Sequence, residues 1–198
     1  MLDFAMAATS NFPSDAAPRE AFTFFAGHAA LDLPATLKAR LKLVPRDLLA
    51  RPEDLARWLV AVGQGSAAPA ASPSDLQTAR ALREAIYMLS IAAIEHKRLP
   101  AAALRTLNRI AAGNCAVPQL TASGAVHISG TARALLTGIA RDAVRLFGSD
   151  AAGRIRQCEG EGCARLFLDT SRSGERRWCS MASCGNKAKV AQFRSRQR

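Results

Sequence analysis

The chain has 198 residues, 49% of them hydrophobic and only 6% aromatic, with a formal net charge of +11. That length and apolar content can bury a core without disulfide stapling, and an alanine-rich, aromatic-poor composition favours helices over a β-sandwich. No stretch approaches the roughly twenty apolar residues of a membrane span, and "MLDFAMAATSNFPSD" lacks the basic start and long apolar run of a secretion signal, so a cytoplasmic chain without a membrane partner is expected.

Residues 1–19, with Pro13, Pro18 and many small residues, are expected to be disordered. In "FTFFAGHAALDLPATLKAR" periodicity does not choose between short strand and helix. "RPEDLARWLVAVG" reads as a helix: Pro52 suits its first position, Glu53 and Asp54 suit its dipole, and Gly63 marks its exit. Ser72 caps and Pro73 opens a long helix of about six turns. Its stripe is Leu76, Ala79, Leu82, Ile86, Leu89 and Ala93, with Arg80, Arg83 and Glu84 off it. A third helix begins near Pro100, with Leu104, Leu107 and Ile110 inward, and stops at Gly113–Asn114. "AVPQLTASGAVHIS" reads as a hairpin around Ser123–Gly124. Thr131 to Phe147 reads as a fourth helix, with Leu135, Leu136, Ile139, Ala143 and Phe147 on one face.

The last stretch is different. Residues 154–198 hold eleven of the 27 Lys/Arg and four of the 16 acids, so they carry +7 of the +11. They also hold four of the five cysteines, as two Cys-x4-Cys pairs, Cys158/Cys163 and Cys179/Cys184, separated by fifteen residues. Zinc takes four thiolates tetrahedrally, and each pair can turn two sulfurs onto one ion. Disulfides are the alternative, but in a reducing compartment clustered cysteines more often bind metal. One structural zinc is expected, with no open coordination position. "RLFLD" and "RRWC" are extended-prone and joined by "TSRSGE", which predicts a hairpin. Leu166, Phe167 and Trp178 are expected to form a mini-core. "GNKAKVAQFRSRQR" reads as a terminal helix carrying the second ligand pair at its start, a treble-clef-like arrangement. At 100° per residue, Val190, Phe193 and Asn186 share an inward edge, and Lys187, Arg194 and Arg198 form a basic stripe beside Ala191. Such a stripe on a zinc-anchored helix is the footprint of nucleic-acid binding, which Arg172, Arg176 and Arg177 are close enough in sequence to join.

"CARLFLDTSRSGERRWCSMASCGNKAKV" resembles the CGNR-type zinc finger of bacterial regulators, with Lys187 in place of the name-giving arginine. The resemblance implies an N-terminal ABATE-type domain, from a stress-induced bacterial transcription regulator family. Its "LDFVNT" segment corresponds here to "LDLPAT", where Leu31, Asp32 and Thr36 agree and Pro34 and Ala35 depart.

His28, His96 and His127 fall in separate elements, and Cys115 has no adjacent histidine. No phosphate-binding glycine loop and no nucleophile elbow is present, so no enzyme is expected. The expectation is a mainly α protein: a disordered start (1–19), a helical ABATE-like domain with a small hairpin (20–152), and a CGNR-type finger (153–198). It reads as a zinc-finger DNA-binding transcription regulator whose helical domain senses a signal or dimerises. A homodimer and a small-molecule effector are both compatible with that reading. An RNA-binding module, or a protein-interaction module with a purely structural zinc, is the alternative.

Overall fold

The computed structural model describes residues 22–196; the expectations for residues 1–19 and for Arg198 fall outside the described residues. The undecided segment folds as a short helix, α1 (Ala29–Asp32), a 3-10 turn (Pro34–Thr36) and a two-residue strand, β1 (Leu37–Lys38). Strand β1 pairs antiparallel with β2 (Arg46–Asp47), with Leu37 opposite Asp47. The helices read from sequence follow: α2 (Pro52–Ala61), α3 (Pro73–Ile94), α4 (Ala101–Ala111) and α5 (Ala132–Phe147). Three of these starts, those of α2, α3 and α5, have a local side-chain cap. The Asp54 carboxylate accepts from Arg51 N at 2.9 Å, Ser72 Oγ accepts from Asp75 N at 3.2 Å, and Thr131 Oγ1 accepts from Ala134 N at 3.2 Å. Between α4 and α5, β3 (Gln119–Leu120) and β4 (Val126–His127) form the expected exposed hairpin.

Helix α3 is the central element and packs against α1, α2, α4 and α5. Leu76, Ala79, Leu82, Ile86 and Leu89 are buried as the periodicity requires. Near the helix ends the stripe takes the three-residue step instead of four: Ala92 is buried rather than Ala93, and Leu146 rather than Phe147. On α4, Ala103, Leu107 and Ile110 are buried and Leu104 is half-buried.

Arg83, expected to lie off the stripe, is buried at 4% exposure. Its guanidinium donates to both Asp47 carboxylate oxygens, at 2.6 and 3.0 Å, and through Nε to Glu84 at 2.9 Å. Glu84 also receives Arg40, whose guanidinium lies 4.1 Å from the Tyr87 ring centroid. A buried guanidinium needs such partners, and Asp47 reaches it only because β2 folds back on β1. The network therefore fixes the β1–β2 loop against α3.

The apolar core does not stop where the sequence divides at 152/153. Ile155 and Leu166, 0% and 1% exposed, belong to the same cluster as Leu82, Ile86 and Leu136. They sit on a hairpin of β5 (Ile155–Gln157) and β6 (Leu166–Leu168), in register Ile155 to Leu168 and Gln157 to Leu166. This corrects the expected hairpin: "RLFLD" pairs with the strand preceding Cys158, not with "RRWC". Leu168 N also donates to Ala26 O at 2.8 Å, tying the hairpin to the segment before α1. Removing everything after residue 152 should therefore destabilise the helices. Two buried aliphatic side chains contribute roughly 3–6 kcal/mol, a large part of a typical folding free energy. A 20–152 fragment should melt well below the full chain by circular dichroism; equal melting temperatures would contradict the shared core.

Asp32 stabilises the same seam. Its Oδ1 accepts from Ala26 N at 3.1 Å while the residue is 6% exposed. Burial pushes its carboxyl up to about 6, against the opposing pull of the Ala26 and Phe25 backbone amides and Arg165. A carboxyl raised in the folded state contributes stability that is complete below its unfolded value and lost as pH rises through about 6. Lowering pH from 7 to 5 should thus stabilise the wild type relative to Asp32→Asn in urea titrations. A stability difference that does not change over that range would refute the assignment.

Candidate metal centre and basic surface

Strands β5 and β6 bring the first cysteine pair together. Cys158 N donates to Arg165 O at 2.9 Å, closing the hairpin, and Cys163 N donates to Gly160 O at 2.9 Å within the turn at its tip. The second pair arrives on a separate path. Glu159 N donates to Arg177 O at 3.0 Å, laying the segment before Cys179 beside the first turn. Cys184 lies in a π-helical turn, Met181–Gly185, that leads directly into α6 (Asn186–Arg196).

All four sulfurs lie within 4.8 Å of one another. A tetrahedral zinc with bonds of about 2.3 Å requires sulfur separations of about 3.8 Å. Cys163 and Cys179 are 4.0 Å apart, and Cys179 and Cys184 are 3.8 Å apart. The donor set and spacing fit one zinc ion, with no fifth protein ligand in the group. Two amides reach the first ligand: Gly160 N at 3.4 Å and Cys179 N at 3.3 Å both donate to Cys158 Sγ. The Cys163 thiol, opposed by burial and helped by Cys158 and Cys184, brings the Cys179 thiol down to about 5. Burial pushes Cys184 up. Cys158 and Cys179 are buried, and the other two half-buried.

One glycine is required by close approach. A Cβ on Gly160 would stand 2.9 Å from Cys184 Sγ and 3.0 Å from its Cβ, pushing a cysteine out of the turn that presents it.

Phe167 is fully buried against Cys158 and Cys179, with Trp178 half-buried beside it. The expected mini-core is thus Phe167 and Trp178; Leu166 belongs instead to the helical core, because strand alternation points it the other way. Asp169, fully buried, is a residue the sequence reading missed. Its carboxylate accepts from Ser171 N at 2.9 Å, Ser171 Oγ at 2.6 Å and Arg176 N at 3.0 Å, and the Ser171 hydroxyl holds it below the ordinary carboxylate range. These bonds shape the "DTSRSGER" loop that was expected to be a plain strand connection. An aspartate two residues before a serine signals such a local turn.

The predicted basic residues separate by environment. Arg176 is structural: it donates to Trp178 O at 3.0 Å, Phe25 O at 3.0 Å and Cys179 O at 2.5 Å, and lies 4.3 Å from the Phe167 ring centroid. Arg177 is exposed, with Nε 2.6 Å from Glu159 Oε2 and its guanidinium 5.0 Å from the Trp178 ring centroid. Arg172, Lys187 and Arg194 are exposed. The expected inward edge of α6 is not inward: Asn186 is exposed, as are Val190 and Phe193 at 49% and 63%, and the helix buries no residue. The chain leaves the cysteine cage at Gly185, and α6 packs mainly against the turn that precedes it. Its eleven residues carry Lys187, Lys189, Arg194 and Arg196 and no acid.

Among the described residues the three histidines join no metal-binding group, and Cys115 lies apart from the cage, beside Gly138 of α5. No helix among them is long and apolar enough to cross a membrane.

Elemental analysis of reduced protein should return one zinc per chain, retained in Cys115→Ser and lost in Cys179→Ser. Loss of the ion should change Trp178 fluorescence and lower the melting temperature, because such modules draw folding energy from the metal. Zinc-free protein with an unaltered finger would refute this.

Residues 27–150 match the ABATE family, described as "Putative stress-induced transcription regulator", and residues 154–197 match the CGNR zinc finger. No curated protein matches the chain. Neither matched family is an enzyme family, and a CGNR finger with four clustered cysteines assigns the chain one structural zinc. The chain is therefore a zinc-binding protein that belongs to the ABATE family of regulators and carries a CGNR zinc finger at its C-terminal end.

Proposed function

We propose that the protein is a DNA-binding transcription regulator whose zinc is held by Cys158, Cys163, Cys179 and Cys184. The observation that carries this reading is α6: a cation-rich helix with no acid and no buried residue, rooted in the four-thiol cage. A helix that packs mainly against the turn preceding it, buries no residue and presents four positive charges is suited to a polyanion. The family description supports the same partner. Zinc, when bound, cross-links the two cysteine pairs and fixes where α6 emerges.

Lys187 and Arg194 on α6, with Arg172 and Arg177 on the adjoining loop, supply the phosphate contacts. Arg176 is withdrawn from that set because its Nε and Nη2 are already engaged by three backbone carbonyls. Lysine at 187 offers a point charge rather than a planar fork, so it positions the duplex and does not read a base. The helical part supplies signal sensing or dimerisation.

Four phosphate contacts predict a slope of log K against log salt of about −4. Arg194→Ala should weaken binding to every duplex and reduce that slope by about one. Fluorescence anisotropy with labelled duplexes between about 50 and 200 mM salt measures both. Affinity that ignores salt over that range would overturn the proposal.

A further inference from the structure

Between α4 and α5 the chain runs from Ile110 to Ala132 without one Lys, Arg, Asp or Glu. This stretch carries the β3–β4 hairpin, and residues 117–127 are exposed without interruption. Its base is anchored. Ala116 and Ile128 pack on the helical core, Ala116 N donates to Ala134 O at 3.4 Å, and Ile128 exchanges hydrogen bonds with Ser66, 2.9 Å each way. Its tip is closed by a three-residue turn in which Gly124 takes φ +80°, with Thr121 N donating to Ala125 O at 2.9 Å. In between, the two strands pack chiefly on each other.

The register leaves one edge open. Gln119 lies opposite His127, and Leu120 opposite Val126. Thr121 and Ala125 are hydrogen-bonded, so by alternation the N–H and C=O groups of Leu120 and Val126 point outwards. Ser66 occupies the outer edge of β4 at Ile128. Among the described residues no hydrogen bond covers the outer edge of β3 beyond Ala116. Leu120 and Val126 also share a face, and are 77% and 63% exposed. A two-stranded ribbon is marginally stable alone in water. Edge strands that stay single are commonly guarded by charge or proline; β3 has no charge, and Pro118 stands before the strand begins.

We infer that this hairpin pairs with the same hairpin of a second copy, β3 against β3 and antiparallel, across a twofold axis at Leu120. Each Leu120 N–H then donates to the other copy's Leu120 carbonyl. Val126, Leu120 and their two counterparts form one apolar row across four strands. Two observations choose a second copy as the occupant. The chain carries +11, so two copies repel except where neutral surface meets neutral surface. Here the uncharged residues 64–74 extend the neutral surface, joined to the hairpin through Ser66. The occupied edge of β4 also stops the ladder at four strands, which gives a closed dimer instead of a fibre. The pairing rests on the dimerising role proposed above for the helical part, and it gives each dimer two fingers.

Sedimentation equilibrium of the full, zinc-loaded chain tests this. The mass should rise from 21.1 kDa towards twice that value as concentration increases. Leu120→Lys and Leu120→Glu should each stay monomeric, because like charges then face each other across the axis. Zinc content and melting temperature should not change, since Leu120 is exposed in the single chain. An equimolar mixture of the two variants should dimerise again. A wild type that stays monomeric, a Leu120→Lys variant that dimerises as the wild type does, or a mixture that fails to associate would each overturn the pairing. DNA binding is read separately, from the salt slope on a short labelled duplex. A steep slope without a dimer sinks the hairpin contact alone; a dimer whose duplex affinity ignores salt sinks the DNA reading alone.

Discussion

The β5–β6 hairpin is the constraint on which the rest of the molecule depends. Its side chains alternate between two interiors: Ile155, Leu166 and Leu168 face the helical core, and Phe167 faces the cysteines. A shift of one residue in the Ile155–Leu168 register would exchange those faces, expelling leucine from one core and phenylalanine from the other. The same register places Cys158 and Cys163 at the hairpin tip. Packing of the helices and geometry of the metal cage are thus set by one three-residue ladder.

A module of about forty residues cannot bury enough apolar surface to stand alone. This finger has three supports beyond its own small cluster: the metal, the share of the helical core occupied by its hairpin, and polar ties to the segment before α1. Arg176 carries the last of these, since one guanidinium bonds both Phe25 O and Cys179 O. Asp169 in turn orders the loop that delivers Arg176. The two matched families meet in sequence at residues 150–154, but in space they meet across this whole set of contacts.

Positive charge serves two unlike purposes here. Arg83 and Arg176 are held by acceptors within the chain and stabilise the fold. Among the described residues the cations of α6 have no such acceptors, and the helix they occupy contributes almost nothing to the core. The same helix leaves Val190 and Phe193 exposed while gathering charge of one sign.

Most helices were legible because their causes are local. A capping serine, a proline at the first position and an apolar stripe at three- and four-residue steps lie within one window of sequence. The four-cysteine cage was legible for a similar reason: few arrangements of Cys-x4-Cys pairs satisfy anything except a tetrahedral ion. The family motif added the ABATE and CGNR assignments, later matched over residues 27–150 and 154–197. What sequence could not decide was which partner each segment takes. "RLFLD" is equally able to pair before or after itself, and only the fit of Leu166 and Leu168 onto the helices selects β5. The wheel of α6 offered an apolar edge, but an edge becomes a core only where another surface meets it, and among the described residues none does. The burial of Arg83 and the loss of Arg176 from the open basic set likewise required acceptors up to 151 residues away in the chain. Short-range stereochemistry determined the elements and the metal ligands; long-range packing decided their neighbours, and with them which charges remain available to bind.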